Sequence, residues 1–301
     1  MIGAPAPGDA RQVVNAFAVD LEDYFQVSAF DRIVPLDRWP SMEGRLQAST
    51  ERLLRLFADR DVRATFFVLG WNAERMPNLI RQIAAAGHEM ASHSFAHRLV
   101  YTMSPAEFRA DLRRAQDAIQ NATGIAARGF RAPSYSITNS SLWAFDVLVE
   151  EGYQYDSSVF PIRHDRYGVP GAERHPHVIS RPAGTIWEVP PPTVRLCGVT
   201  IPAAAGGYLR LMPFWWTQWC LRRINGQEHC GAIVSTHPWE LDPGQPRLRV
   251  GPLTRLRHYG NIGLVEGRIR RLLDEHRFTT ITDVLAAHVP HGLTSAAALA
   301  F

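Results

Sequence analysis

Five times between residues 12 and 240, a short strand-like run ends at ionisable or hydroxyl side chains. The runs are 12–19, 87–91, 127–130, 154–156 and 231–236. Segments with apolar positions at helical spacing lie between them, at 49–60, 76–86, 104–120 and 140–151, and one more buried strand is expected at 63–69. Strand and helix alternating at this interval argue for a parallel sheet with crossover helices. Such sheets bind ligands where their strands end, which is where the reactive side chains collect here.

A chain of 301 residues can bury one large core, in the range of a single α/β barrel domain with insertions. All 32 basic residues are arginine, so Schiff-base chemistry and a phosphate-loop lysine are excluded. The formal charge is only +3, with arginines scattered among acids, and no nucleic-acid surface is expected. Cys197, Cys220 and Cys230 have no metal-finger spacing and are odd in number, which suits reduced thiols. Residues 1–11 lack a basic start and an apolar run, and no segment approaches a membrane span. A cytoplasmic protein is the expectation, with residues 292–301 frayed.

Run 12–19 leads into Asp20-Leu21-Glu22-Asp23. Carboxylates at the end of a buried strand are costly unless a cation or an arginine meets them. Alternation puts Asp20 and Glu22 on one face and Asp23 on the other; a solvated loop with a helix cap is the bland alternative. In His93-Ser94-Phe95-Ala96-His97, a helical turn would place both imidazoles on one face, within reach of one divalent ion. The motif is equally compatible with one buried and one surface histidine. Ser94 stands where a zinc protease would need glutamate, so that class is excluded.

Arg131-Ala132-Pro133-Ser134-Tyr135 brings an arginine to the same rim, or pairs it at the surface. Residues 161–207 are rich in Pro, Gly, His and Arg, with one strand-like piece at 185–189, and read as a long insertion or lid. Segment 213–223 carries Trp215, Trp216 and Trp219, which suit a core face or a sugar platform. Run 231–236 delivers His237, followed by Pro238-Trp239-Glu240. An arginine-rich amphipathic helix (263–276), a last strand (278–281) and a short helix (282–287) complete the chain.

Taken together, these motifs resemble those of the polysaccharide deacetylase family, the NodB-homology carbohydrate esterases. They occur in the family's order as the Asp20–Asp23 acids, His93 to His97, Arg131 to Tyr135, Asp156 to Phe160, and Ser235-Thr236-His237, spanning residues 13–240. The strings Val-Asp-Leu-Glu-Asp-Tyr-Phe-Gln-Val, Phe-Arg-Ala-Pro-Ser-Tyr-Ser and His-Pro-Trp-Glu, with Arg257-His258-Tyr259-Gly260-Asn261, are similar to the bacterial branch associated with exosortase and exopolysaccharide systems. The resemblance implies a distorted (β/α) barrel of about seven parallel strands forming one domain over 1–301, with an insertion at about 161–212 and a C-terminal extension at about 241–290.

It further implies a metal-dependent hydrolase that removes N-acetyl groups from a polysaccharide or its oligosaccharide precursor. His93, His97 and Glu22 would hold a divalent ion, with Asp23 as the alternative carboxylate. Zinc suits that set, as do cobalt, nickel and manganese. Asp20 would be the general base, held by Arg131; His237 would be the general acid, oriented by Asp156. A backbone N–H near Ser134 or Tyr135 would face the oxyanion, and Phe160 and Trp239 would flank the acetyl group. The chain departs from the pattern in three places. Asp-x-Glu-Asp replaces Asp-Asp-Gly, Ser134 is inserted before Tyr135, and Phe160 stands where tryptophan is common. An inactive carbohydrate-binding relative and a small-amide deacylase are the other readings. The expected partner is an N-acetylated glycan.

Overall fold

Residues 13–288 are described by the computed structural model. The expectations for 1–11 and 292–301 lie outside these residues. The strands are β1 (Val14–Leu21), β2 (Thr65–Val68), β3 (Glu89–Ser92), β4 (Gly129–Phe130), β5 (Tyr155–Asp156), β6 (His177–Arg181), β7 (Gly184–Glu188), β8 (Thr193–Leu196), β9 (Val199–Pro202), β10 (Ile233–Thr236) and β11 (Arg277–Thr279). The helices are α1 (Leu46–Ala58), α2 (Gly70–Arg75), α3 (Pro77–Ala85), α4 (Pro105–Thr123), α5 (Ala144–Glu150), α6 (Gly207–Leu211), α7 (Phe214–Gln227), α8 (Pro252–Tyr259), α9 (Val265–Glu275) and α10 (Ile281–His288).

The main sheet has the order β10-β1-β2-β3-β4-β5-β7-β6, and β11 also pairs with β1. Every pairing from β10 to β7 is parallel, so seven neighbouring strands run the same way, as the resemblance implied. Strand β1 is buried along nearly its whole length because helices cover the sheet. Its alternation separates two environments. Phe17, Val19 and Leu21 pack outward against α1, α7 and α9, whereas Ala16 and Ala18 face inward with Phe67, Ala91 and α10. Asp20 continues the inward series, at the strand's C-terminal end.

The Ser-Pro-x-Glu signal starts α4 as expected. Glu107 N–H donates to Ser104 Oγ at 3.3 Å and Ser104 N–H donates back to Glu107 Oε2 at 2.8 Å. The strand-like piece expected at 185–189 is β7, which forms an antiparallel hairpin with β6 and joins the main sheet beside β5, so the 161–212 insertion contributes to the sheet as well as covering it. The last strand expected at 278–281 is β11, which pairs with Val14–Ala16 of β1. On α7 the tryptophans divide: Trp216 is buried, while Trp215 is 65% exposed and Trp219 is 37% exposed. No helix among the described residues is long and apolar enough to cross a membrane.

Candidate metal and hydrolytic site

Strand register assembles the site. Val19 is paired with Thr236, and Ser92 with Phe130, which in turn is paired with Asp156. One residue beyond those pairs, the chain presents Asp20 beside His237, and His93 beside Arg131. Parallel strands in register therefore bring together residues up to 217 positions apart, as in the contact between Glu22 and Trp239.

Glu22, His93 and His97 each offer a ligand atom, and these atoms all lie within 4.8 Å of one another. The His93 Nδ1 nitrogen is 2.7 Å from the Arg131 carbonyl, a partner that accepts only, so Nδ1 carries the hydrogen and Nε2 keeps a bare lone pair. Burial lowers the His93 pKa to about 4, which keeps the ring in its metal-binding neutral form. His97 Nε2 sits 3.0 Å from Glu22 Oε2, a buried oxygen that accepts no hydrogen bond among the described residues. Burial alone would raise the Glu22 carboxyl, yet the imidazoles of His97 and His237 hold it down, at about 2. Two nitrogens, one carboxylate and an unsatisfied buried oxygen fit a divalent cation. The histidines lie in the loop after β3 rather than on a helical turn. They converge through a turn in which Ser94 (φ 66°) and His97 (φ 56°) are left-handed.

Asp23 points elsewhere. Its oxygens accept the amides of Tyr24 (2.8 Å), Arg45 (2.7 Å) and Leu46 (3.0 Å), so it caps the start of α1 rather than joining the histidines.

Arg131 is 1% exposed, packs over the Phe67 ring, and donates from Nη1 to Asp20 Oδ1 at 2.7 Å. Its remaining donors reach the Ser157 carbonyl (3.2 Å) and hydroxyl (2.9 Å), which fixes the guanidinium and hence Asp20. His237 Nε2 lies 3.3 Å from Glu22 Oε1 and 3.7 Å from Asp20 Oδ2. Gly206 (φ 52°) borders this imidazole, and a Cβ there would come to 3.4 Å from its Cε1.

The carboxylate behind His237 is Glu240, 3.3 Å from Nδ1, and not Asp156. Glu240 accepts hydrogen bonds from Arg210 Nε at 2.9 Å and from Thr236 Oγ1 at 2.8 Å. Burial works to lower the His237 pKa, but Glu22, Glu240 and Asp20 together raise it to about 9, which suits a proton donor. Glu240 and Arg210 were missed from the sequence. Glu240 had a signal: His-Pro-Trp-Glu repeats the Ser-Pro-x-Glu spacing of α4, and the glutamate likewise reaches back, accepting the His237 amide at 3.1 Å.

Asp156 instead accepts from the Ser158 hydroxyl (2.6 Å) and amide (3.0 Å), and lies opposite Glu188 on β7. Both carboxyls are 0% exposed. Burial raises both pKa values, and the neighbouring Asp156 pushes Glu188 well above its ordinary value. A carboxyl raised in the folded state stabilises most below its unfolded pKa and loses that contribution as pH rises. Glu188→Gln is therefore expected to flatten the decline in stability from about pH 4.5 upward, leaving the variant as stable as the parent or more so at pH 7. Urea midpoints measured across pH check this; a variant that loses stability uniformly refutes it.

Ser134 (φ 51°) and Tyr135 (φ 54°) are consecutive left-handed residues, strain of a kind that collects at functional sites. The Tyr135 amide donates to the Ala132 carbonyl at 3.0 Å, which leaves Ser134 as the candidate oxyanion amide. The Ser134 hydroxyl is 2.7 Å from that of Ser28, a neighbour no sequence pattern marked. Phe160 is fully buried and does not line the cleft; it props Tyr135 at 5.2 Å and Tyr167 at 5.9 Å. Trp239 does line the cleft, stacked between His237 (5.1 Å) and His258 (4.1 Å). The cleft over these groups holds about 540 Å³, a normal size for a ligand site.

Residues 30–155 match the family model described as "Polysaccharide deacetylase", and residues 157–286 match one described as "Domain of unknown function (DUF3473)". A Bacillus cereus peptidoglycan-N-acetylglucosamine deacetylase is 31% identical over 96 residues, which cover 32% of this chain and 35% of that protein. A Colletotrichum lindemuthianum chitin deacetylase is 38% identical over 92 residues, 29% of this chain and 37% of that protein. The match thus spans little more than a third of these relatives. Among solved structures, a Mycobacterium smegmatis protein assigned as a polysaccharide deacetylase superposes with a TM-score of 0.63 at 21% identity, over 94% of this chain and 92% of that one. The Puue allantoinase gives 0.62 at 16% identity, over 96% and 95%. These two likenesses establish a shared α/β fold.

Proposed function

We propose, from the match of residues 30–155 to the polysaccharide deacetylase model, that the chain hydrolyses N-acetyl groups on a glycan, with Asp20 as general base and His237 as general acid. One observation carries the reading. A buried Glu22, His93 and His97 set, with ligand atoms within 4.8 Å of one another, adjoins both the Asp20–Arg131 pair and the His237–Glu240 pair.

Glu22, His93 and His97 would hold a divalent ion, zinc being the one best suited to two imidazoles and a carboxylate. When bound, such an ion polarises an amide carbonyl and activates water. Asp20 takes the proton from the attacking water, with Arg131 fixing the angle of its carboxylate. The Ser134 amide faces the oxygen on which negative charge develops. His237 hands its proton to the departing amine nitrogen, so that amide and water become acetate and a free amine. Glu240 orients the imidazole for that transfer, in the manner of the acid member of hydrolytic triads. Trp239 closes one side of the cleft against water.

Acetate release from N-acetylated oligosaccharides is the test. Activity is expected with zinc, to vanish with chelator and to return on metal add-back. Metal-independent release would remove the assigned ligands from the mechanism, and sugar binding without acetate under all metals would make the chain an inactive binder.

A further inference from the structure

We propose that the glycan bound here carries carboxylate groups beside its N-acetylated sugar, and that Arg166 and Arg257 recognise them. This rests on the deacetylase reading and narrows its substrate class.

The charge layout of the cleft is divided. The acids that line it are Asp20 and Glu22, both on the floor and both already facing cations or imidazoles. Arg166 and Arg257 also line it. Arg166 is exposed and makes no ion pair or side-chain hydrogen bond among the described residues. Arg257 is 42% exposed, and the carboxylate paired with it among the described residues, Asp165, is 3.8 Å away and 63% exposed. A pair so long and so wet holds its arginine weakly. Arg210, in the same cleft, is the contrast: it is 1% exposed and bonded to Glu240 and to the carbonyls of Gly260 and Arg257. Two guanidiniums in the cleft are thus available to a ligand and one is not.

From 243 to 265 there are four arginines and no Asp or Glu, and Arg257 is the one of them that lines the cleft. Guanidinium forks match carboxylates in a bidentate geometry that neutral hydroxyls cannot reproduce. Tyr167 and Tyr208, whose hydroxyls are 3.1 Å apart, add aromatic surface for a sugar face. Both arginines and both tyrosines fall within 157–286, outside the segment that matches the deacetylase model. Recognition of the anionic neighbour is therefore a task of the second half of the chain.

The carboxylate could belong to a uronic acid in the chain or to a lactyl ether on an adjacent amino sugar, so the substrates must separate these. Zinc-loaded protein is assayed for acetate release on hyaluronan oligosaccharides, on muramyl-containing glycan strands, and on neutral chitooligosaccharides of equal length. At least one anionic series is expected to exceed the neutral one about tenfold in kcat/KM, the gain of one good charge-assisted contact. That advantage should shrink in about 1 M salt, where the screening length falls to about 3 Å. In Arg166→Gln/Arg257→Gln the anionic-to-neutral ratio is expected to fall toward one, mainly through KM for the anionic substrate. Which anionic series responds identifies the source of the carboxylate. A wild-type ratio near one with chitooligosaccharides deacetylated would overturn this inference and leave the deacetylase reading standing, as would a ratio unchanged in the double variant. Inertness of all three series would overturn both.

Discussion

Asp20→Asn is expected to lower acetate release by on the order of 10³-fold while leaving metal content at the parental level. The asymmetry follows from position. Asp20 is held by Arg131 Nη1 at 2.7 Å and is not among the three residues whose ligand atoms cluster. Asparagine keeps an oxygen for that arginine, so the fold around it persists, but it cannot take a proton from water. The loss should fall on kcat with KM little changed, the mark of a group acting in the transition state. Metal analysis of the purified variant beside steady-state kinetics checks both halves. Loss of metal would make Asp20 a ligand, and retained activity would remove it from proton transfer.

Glu240→Ala is expected to cost about 3–5 kcal/mol of stability at neutral pH, because it strands a buried guanidinium. Arg210 is 1% exposed and Glu240 is 0% exposed, 2.9 Å apart. Removing the carboxylate also deprives the Thr236 hydroxyl and the His237 amide of their acceptor. Against a typical net stability of about 5–15 kcal/mol, such a loss is large. The effect has a definite pH dependence. Burial would raise the Glu240 carboxyl, but His237 and Arg210 outweigh it and hold it far below the ordinary 4.5. A depressed carboxylate stabilises above its unfolded pKa and loses that contribution as pH falls. The gap between parent and variant should therefore narrow below about pH 4.5 in urea titrations. Glu240→Gln, which keeps an oxygen acceptor, should be the milder change in stability yet still impair turnover, since an amide cannot favour the imidazolium as a carboxylate does. Equal stability of parent and alanine variant would show that the backbone carbonyls alone satisfy Arg210.

The reactive ends of the strands could be read from the sequence because a parallel sheet places all its strand termini at one edge. Asp20, His93, Arg131 and His237 each follow a run that had to be a buried strand, so their convergence needed no knowledge of loops. Supporting residues were harder. Glu240 sits on a turn after its strand, and Arg210 on a five-residue helix within a stretch that read as irregular. Each is buried only because the other is, and a mutual dependence across 30 residues leaves no local trace. Asp156 was misassigned for a related reason. Its true neighbour is Glu188 on β7, a strand legible in the sequence but whose pairing with β5 is set by an insertion with no local signal. The choice between Glu22 and Asp23 turned on α1, whose first amides Asp23 satisfies from more than twenty positions away.

Strands β1 and β10 lie side by side, one leading to the proposed proton acceptor Asp20 and the other to the proposed donor His237, yet they are far apart in sequence. The segment that matches the deacetylase model, 30–155, contains neither group: Asp20 precedes it and His237 follows it. It carries His93, His97 and Arg131, so cutting the chain at either border would part those three side chains from one of the two groups proposed to move protons.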